Sequence, residues 1–423
     1  MANDVFMFQY LQEKIDKGFP VPQFTHLIHE GEFMYVPRGG EQKYVNPQRS
    51  LIHSLQGPVT CRVGMFFDGP FFPIRNGACY TIHNLMRALG DTTAFGVNFF
   101  NCFRGWDKIE AYFQRNFSST FLTPNDYFKD TGVLEQALVD QGIQIAHFFD
   151  TEVLTTIAPL LRKLGIKIVL ETQNIDHVLL ERLQVSTHEI AKARDIQIEA
   201  LKIADFNLFR SDIDMEWGVK LGARPATTAT YRGGIWANDF TFKTRKDAKK
   251  LVFLGHMFYQ PNENALHAII AEILPKLSKD YTLTVIGITP PKIIDQYKNL
   301  HNVIFLKGVD DLDGTLQSYD IALAPLLEGS GTRLKLLDYL ASGLPVIATT
   351  LAAEGLDAEI SDLMTIEDDL EMYANRILEI ASNTSYYQSR AQQGRKFVEQ
   401  KYNWPNCIQP FLDAYRVLMN SEK

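Results

Sequence analysis

Two successive series of short apolar runs, each run followed by a helical stretch, constrain this chain more than any other feature. The first series holds CRVGMFFDGP, TTAFGVNFF, IQIAHFF, IKIVLET and ADFNLFRS, with NGACYTIHNLMRALG, VLEQALVDQ and LTTIAPLLRKLG as helices between them. The second holds LVFLG, YTLTVIG, NVIFLKG, IALAPLL and LPVIATT, with a helix expected over Asn262 to Leu277. Strands of this kind, apolar throughout and alternating with helices, belong to parallel sheets covered on both faces. A chain of 423 residues exceeds what one ordinary core accommodates. The pattern therefore predicts two doubly wound α/β halves facing a cleft. Ligands in such sheets sit beyond the carboxyl ends of the strands, which places the loops after Gly69, Gly255, Gly287, Gly308 and Leu327 on that cleft.

Breaks in the pattern set the divisions. Residues 1–60 carry PVP, PRGG and NPQ punctuation and predict an extension of irregular structure, with a short helix over Asp4 to Lys17. The first α/β half runs over 61–235, a polar linker over 236–248, the second half over 249–403, and a terminal helix over 404–423.

The formal net charge of −8 excludes a general nucleic-acid binder, which needs a positive surface to neutralise phosphates. The densest basic run, Lys243, Arg245, Lys246, Lys249 and Lys250, reads as a solvated linker, with contact to an anionic membrane as the functional alternative. Four scattered cysteines fit a reducing compartment, and the opening MANDVFMFQY lacks the basic, apolar plan of a leader. The expected location is the cytoplasm, with the inner face of the membrane as its peripheral alternative. No cluster of His, Cys, Asp or Glu has metal-ligand spacing.

The stretch GSGTRLKLLDYLASGLPVIATT, residues 329–350, carries the chemistry. Gly329 and Gly331 around Ser330 allow a ligand to approach the main chain closely. The first amides of the helix that follows have no partner within it and attract an anion. Arg333 and Lys335 add charge-assisted hydrogen bonds to the same anion, and Asp338, one turn in, is placed to accept from a vicinal diol. The plain alternative is a surface helix with an exposed Lys335–Asp338 pair.

The same stretch, through its SGTRLKLLDYLASGLPVIATTLAAEGL core, resembles the donor-binding segment of retaining GT-B glycosyltransferases, the large family numbered four, in its branch with a GGTR-x-K-x-L-E-A pattern. LVFLGHMFYQPNENAL, ETQNIDHVLLERL, TYRGGIWANDF and EQKYNWPNCIQPFLDAY are similar to further segments of that branch. The resemblance covers about Cys61 to Leu418. It implies a GT-B fold: an acceptor-side and a donor-side Rossmann-like domain, with the terminal helix crossing back to the first. It implies that the backbone at Gly331, Thr332 and Arg333 holds a donor diphosphate and that Asp338 holds the donor ribose. Ser330, also counted as donor-binding, stands where the family's first acidic residue falls, a departure shared by the glycine-rich branch. Lys307, Gly308 and Val309 would grip the base, Glu354 the sugar, and Gly77, Gly255 and His256 would approach the phosphates.

Two departures stand out. Where many members carry an Arg and a Lys after the first strand of the donor domain, this chain has His256 and Asn262, the latter read as a helix N-cap. Arg333 and Lys335 therefore become the expected cations for the departing diphosphate. His147, with Asp150 as its rival, falls near a position where the family often has a functional histidine. The implied function is metal-independent transfer of a sugar, without a cofactor, from a UDP-sugar in preference to a GDP-sugar. The acceptor would be a saccharide, a lipid-linked saccharide or a protein hydroxyl, in surface polysaccharide or glycolipid assembly. The alternative is a catalytically silent partner subunit that binds a nucleotide sugar or a glycan.

Overall fold

The structure, a computed structural model, describes residues 24–29, 32–37, 43–45, 61–67, 77–90, 95–101, 117–121, 131–245, 248–309, 311–329 and 332–420. The expected helix over Asp4 to Lys17, the loop after Gly69, and Ser330 and Gly331 lie outside these residues.

Where irregular structure is expected near the amino terminus, the chain forms three strands: β1 (Phe24–His29), β2 (Glu32–Pro37) and β3 (Lys43–Val45). They pair antiparallel in the order β1-β2-β3, with Phe24 opposite Pro37 and Phe33 opposite Val45.

Seven parallel strands make the first large sheet: β4 (Cys61–Phe67), β5 (Phe95–Asn101), β6 (Phe117–Phe121), β7 (Ile145–Phe148), β8 (Lys167–Thr172), β9 (Phe206–Phe209) and β10 (Thr228–Thr230). Their order is β10-β9-β8-β7-β4-β5-β6, so the chain reverses direction across the sheet between β4 and β7. Burial on both faces explains the continuous apolar runs. Met65 and Ile145 belong to the core on one face, Phe66, Phe100 and Phe148 to the core on the other. Phe66 stacks between Phe100 and Phe148, with ring centroids 4.5 and 4.7 Å away.

The second sheet is also parallel: β11 (Lys250–Leu254), β12 (Thr282–Ile286), β13 (Val303–Leu306), β14 (Ile321–Ala324), β15 (Val346–Ala348) and β16 (Thr365–Ile366). Its order is β13-β12-β11-β14-β15-β16, with the reversal between β11 and β14. The helix expected over Asn262 to Leu277 runs instead from Gln260 to Ala268, continues as a π turn over Ile269–Ile273 and tightens over Leu274–Lys276. Pro275 has no N–H for the helical ladder and its ring crowds the carbonyl one turn before it, so regular helix does not continue there.

The chain crosses between the halves twice, and the two crossings are stitched together. The Ile235 N–H donates to the Tyr402 carbonyl at 2.8 Å, and the Trp404 N–H donates to the Ile235 carbonyl at 3.1 Å. A Cβ on Gly234 would stand 2.8 Å from the Tyr402 carbonyl oxygen, so this approach requires glycine. The Gln409–Asn420 helix then packs Phe411, Leu412, Tyr415 and Leu418 into the core of the first sheet. The reading of 236–248 as a solvated basic stretch needs correction at Arg245. Its guanidinium is buried and donates to the carbonyls of Ser342 at 2.6 Å and Tyr319 at 3.2 Å, and Lys243 donates to the Gln317 carbonyl at 2.7 Å. These cations tie the segment to the second domain. Among the described residues, no helix is long and apolar enough to cross a membrane.

Candidate functional site

The strand reversal in the second sheet delivers the loop after β14 to the seam between the domains. Gly329 adopts φ +100°, and a Cβ there would lie 2.9 Å from the Tyr259 hydroxyl and 3.1 Å from Arg333 Nη2. Glycine is thus required for the turn itself and for its neighbours. The helix that follows spans Leu334–Ala341 and seats Leu336, Leu337, Leu340 and Ala341 in the second core, while Arg333, at its N-cap, is only 8% exposed. Burial lowers the pKa of its guanidinium, an effect that nearby Tyr259 and Glu354 oppose and Arg182 reinforces.

Lys335 does not extend into solvent. Its Nζ donates to Asn262 Oδ1 at 2.8 Å and lies 4.7 Å from the centroid of the Phe253 ring. Burial, with Arg333 adding repulsion, brings its pKa down to about 7, although part of the side-chain surface stays accessible. Asn262 is correspondingly not an N-cap: the helix starts at Gln260, and the amide instead bridges Lys335 to the His256 carbonyl, to which its Nδ2 donates at 3.1 Å. Asp338 is 5% exposed, and among the described residues no donor meets its Oδ1. Burial pushes its carboxyl up to about 7. Tyr80 of the first domain packs against the second core beside it, its hydroxyl held above its ordinary pKa by burial and by the Asp338 charge. The plain alternative of an exposed Lys335–Asp338 surface pair therefore does not describe this helix.

On the other side of the loop stands the Glu354–Gly355 turn. Thr332 Oγ1 donates to the Gly355 carbonyl at 3.4 Å, and Gly355, at φ +83°, could carry a Cβ only 2.8 Å from that hydroxyl oxygen. Glu354 takes a two-pronged ion pair from Arg182 of the first domain, at 2.7 and 3.0 Å, and Arg182 Nη1 also donates to the Gly329 carbonyl at 3.0 Å. Sequence reasoning assigned no part to Arg182. The only signal was its place in ETQNIDHVLLERL, where a lone arginine at a helix end reads as a solvated cation.

The remaining candidates are more dispersed. Gly255 and Gly287 meet at the ends of β11 and β12, so tightly that a Cβ on Gly287 would fall 1.9 Å from the Gly255 carbonyl oxygen. The His256 ring follows Gly255 and lies 5.4 Å from Phe258. Lys307 and Gly308 are exposed at the open end of the edge strand β13, with Val309 against the second core. Gly77 is the exposed first residue of the Gly77–Gly90 helix and accepts from Thr81 Oγ1 through its carbonyl at 2.9 Å.

His147 is shut away from the cleft, which corrects its place among the candidate catalytic groups. It is 0% exposed, its Nδ1 lies 2.7 Å from the Tyr415 hydroxyl, its Nε2 lies 3.3 Å from Glu171 Oε2, and its ring stacks on Phe149. Glu171 in turn accepts from Tyr231 and from Gln173, and Arg210 Nε donates to the Tyr231 hydroxyl at 3.0 Å. This is a buried polar network under the terminal helix. Asp150 is the N-cap of the Thr151–Lys163 helix and accepts from the Val153 N–H at 2.8 Å, with burial raising its pKa.

The assembled site offers a buried Arg333, a partly buried Lys335 and a buried carboxylate, one oxygen of which has no donor among the described residues, around a glycine turn between two domains. That chemistry suits an anion joined to a hydroxyl-bearing ring. Residues 248–383 match the family model described as glycosyl transferases group 1. A 44.6 kDa protein of the cps region of Klebsiella pneumoniae is 24% identical over 164 residues, covering 36% of this chain and 42% of that protein. A glycosyltransferase of Methanocaldococcus jannaschii is 22% identical over 221 residues, covering 50% of this chain and 52% of its own. The matches thus span about half or less of these relatives. Among solved structures, the Anabaena protein HepE in complex with UDP-glucose shares 12% identity at a TM-score of 0.67, over 84% of this chain and 99% of that one. A sucrose-phosphate synthase from Thermosynechococcus elongatus shares 14% at 0.65, over 85% and 100%. WaaG, a glycosyltransferase involved in lipopolysaccharide biosynthesis, shares 13% at 0.61, over 81% and 97%. At these identities the likeness is one of fold: two Rossmann-like domains in the GT-B arrangement.

Proposed function

We propose that this chain transfers a sugar from a nucleoside diphosphate to a hydroxyl acceptor, with retention at the anomeric carbon and a UDP-sugar as the favoured donor. The observation that carries this reading is the burial of Arg333 and Asp338, with Lys335 tethered between Asn262 and Phe253, around the loop after β14 inside the segment matched to the glycosyltransferase model. HepE, of similar fold, is described with UDP-glucose, which supports the choice of base.

In this reading the donor bond between the anomeric carbon and the diphosphate oxygen breaks while the acceptor oxygen attacks the same face. The acceptor proton passes to the departing diphosphate. Arg333 and a protonated Lys335 meet the negative charge that develops on the leaving group, and pre-placed cations in a water-poor cleft act strongly there. No metal is needed for that task in this scheme. Asp338 accepts from the ribose hydroxyls and Glu354 from the sugar, while closure of the domains excludes water that would hydrolyse the donor. The matched relative from a cps region and the likeness to WaaG favour a saccharide or lipid-linked saccharide acceptor over a protein.

A thermal-shift panel of UDP, GDP, ADP, TDP and CMP tests the donor site. A nucleotide at one hundred times its dissociation constant stabilises by about 2.7 kcal/mol, and UDP is expected to give the largest shift. Slow release of UDP from UDP-glucose, suppressed by Arg333→Ala, tests the chemistry. Binding without release would favour the silent-subunit alternative, and no shift with any of the nucleotides would remove the reading altogether.

A further inference from the structure

We infer that Arg182 is a positioning residue that holds the cleft closed: from the first domain it grips two segments of the second, through the Gly329 carbonyl and the Glu354 carboxylate. The inference rests on the donor-site reading only for its catalytic consequence. The contact itself is structural.

Three bonds leave one guanidinium. Two run to Glu354, at 2.7 and 3.0 Å, and the third to the Gly329 carbonyl at 3.0 Å. A planar fork can satisfy these acceptors at once and a lysine cannot, because its charge is a single point. The two acceptors are linked on their own side of the seam. On that side Thr332, three residues after Gly329, donates through Oγ1 to the carbonyl of Gly355, next to Glu354. Arg182 therefore holds two neighbouring segments of the second domain, Gly329 after β14 and the Glu354–Gly355 turn after β15, from the first domain. Arg333 feels the arrangement as well, since Arg182 and Glu354 act on its guanidinium with opposite signs.

Other ties between the halves sit at the crossing. Arg232, in the crossing segment, pairs with Asp357 at 2.9 Å, and Arg87 pairs with Asp239 at 2.5 Å. Arg182 differs in joining a helix of the first domain, Asp176–Arg182, to residues of the second domain itself, where Arg87 pairs with Asp239 of the linker, so its bonds break when the halves separate. Beyond the pair lies a small cavity lined by Ile175, Val178, Ser211, Asp214 and Trp217 of the first domain, of which Arg182 and Glu354 form one wall. A half-exposed ion pair adds little to the stability of a rigid body. Between two bodies that can part, the same pair shifts the balance of open and closed forms, because only the closed form makes it.

Spin labels at Val139→Cys and Leu378→Cys, exposed helical positions on the first and second domains, report the separation in the full-length protein with Cys102→Ser. The labelled parent is expected to give one dominant distance without ligand. Arg182→Glu, which sets two carboxylates together, is expected to shift the population to longer distances, and the exchange Arg182→Glu with Glu354→Arg to restore it. A distribution unchanged by Arg182→Glu, or one not restored by the exchange, overturns the inference. In UDP-glucose hydrolysis, Arg182→Gln is expected to raise KM about tenfold with kcat within about threefold, the signature of lost binding order. A fall in kcat at unchanged KM overturns the positioning role. A parent protein that neither binds nor hydrolyses UDP-glucose counts against the transferase reading, and the label distances still decide the inference.

Discussion

Lys335 Nζ donates to Asn262 Oδ1 at 2.8 Å, so the ammonium is tethered by an amide that brings no charge of its own. With burial and Arg333 holding its pKa at about 7, Lys335 is half neutral near physiological pH. A diphosphate bound beside it would favour the charged form and raise that pKa. Binding of UDP at about pH 8 should therefore take up a proton, and affinity should fall by up to about tenfold per pH unit as pH rises above 7. Titration calorimetry in two buffers of different ionisation enthalpy measures the uptake, with Lys335→Met as the comparison. Equal uptake by parent and variant would place the proton elsewhere.

Asp338 titrates with the opposite sign. Its carboxyl is raised to about 7 by burial, so the folded protein binds a proton there that the unfolded chain releases near its ordinary value of 3.8. The cost of the ionised form is fully present above pH 7 and vanishes below about pH 4. Asp338→Asn is expected to raise stability by on the order of 4 kcal/mol at about pH 8 and to leave it nearly unchanged at about pH 4. The same variant should narrow the preference for UDP over 2′-deoxy-UDP if the carboxylate accepts from the ribose. Urea unfolding at the two pH values, with parallel nucleotide titrations, decides both points. A stability gain that is the same at both pH values would refute the burial argument.

The central strands of both sheets were legible because burial on both faces leaves an unbroken apolar run, as in Ile145–Phe148 and Ile321–Ala324. The edges were not. Thr228–Thr230 pairs through only three residues and Thr365–Ile366 through two, too short for any periodicity to register. The hairpin of Phe24–His29 with Glu32–Pro37 was hidden by the proline and glycine punctuation around it. In the site, Arg333, Lys335 and Asp338 are local to one glycine turn and helix, so spacing alone gathers them. Arg182 reaches Gly329 and Glu354 across 147 and 172 residues, a proximity that exists only once two domains have folded and met. His147 was visible as a polar residue in an apolar strand, but alternation could not say that the face it occupies is the one Tyr415 covers.

Gly287 offers a test of the close approach at the ends of the paired strands β11 and β12. It adopts φ +138°, and a Cβ would stand 1.9 Å from the Gly255 carbonyl oxygen, with backbone on both sides of the clash. Gly287→Ala is expected to cost more than about 3 kcal/mol, strain and overlap acting together. Gly165, at φ +71° with nothing within 4 Å of its added Cβ, provides the comparison, where only the backbone term of about 1 kcal/mol applies. Urea unfolding of both variants is the measurement. Equal losses would mean that the close approach at Gly255 relaxes freely.

His147 separates structural from catalytic roles. Its ring is enclosed between Phe149 and Phe411, 4.8 and 6.0 Å from its centroid, with Nδ1 on the Tyr415 hydroxyl at 2.7 Å. Tyr415→Phe removes that partner without changing the packing of the ring, and an orphaned buried polar atom costs about 1–3 kcal/mol. The variant should therefore unfold at a lower urea concentration while its kcat for UDP-glucose hydrolysis stays within about twofold of the parent, since a group closed off from the cleft supplies no transition-state contact. The loss should appear as a loosened terminal helix, read by faster hydrogen exchange over Gln409–Asn420. A collapse of kcat with unfolding unchanged would return His147 to the reacting centre and would require the terminal helix to move aside during the reaction.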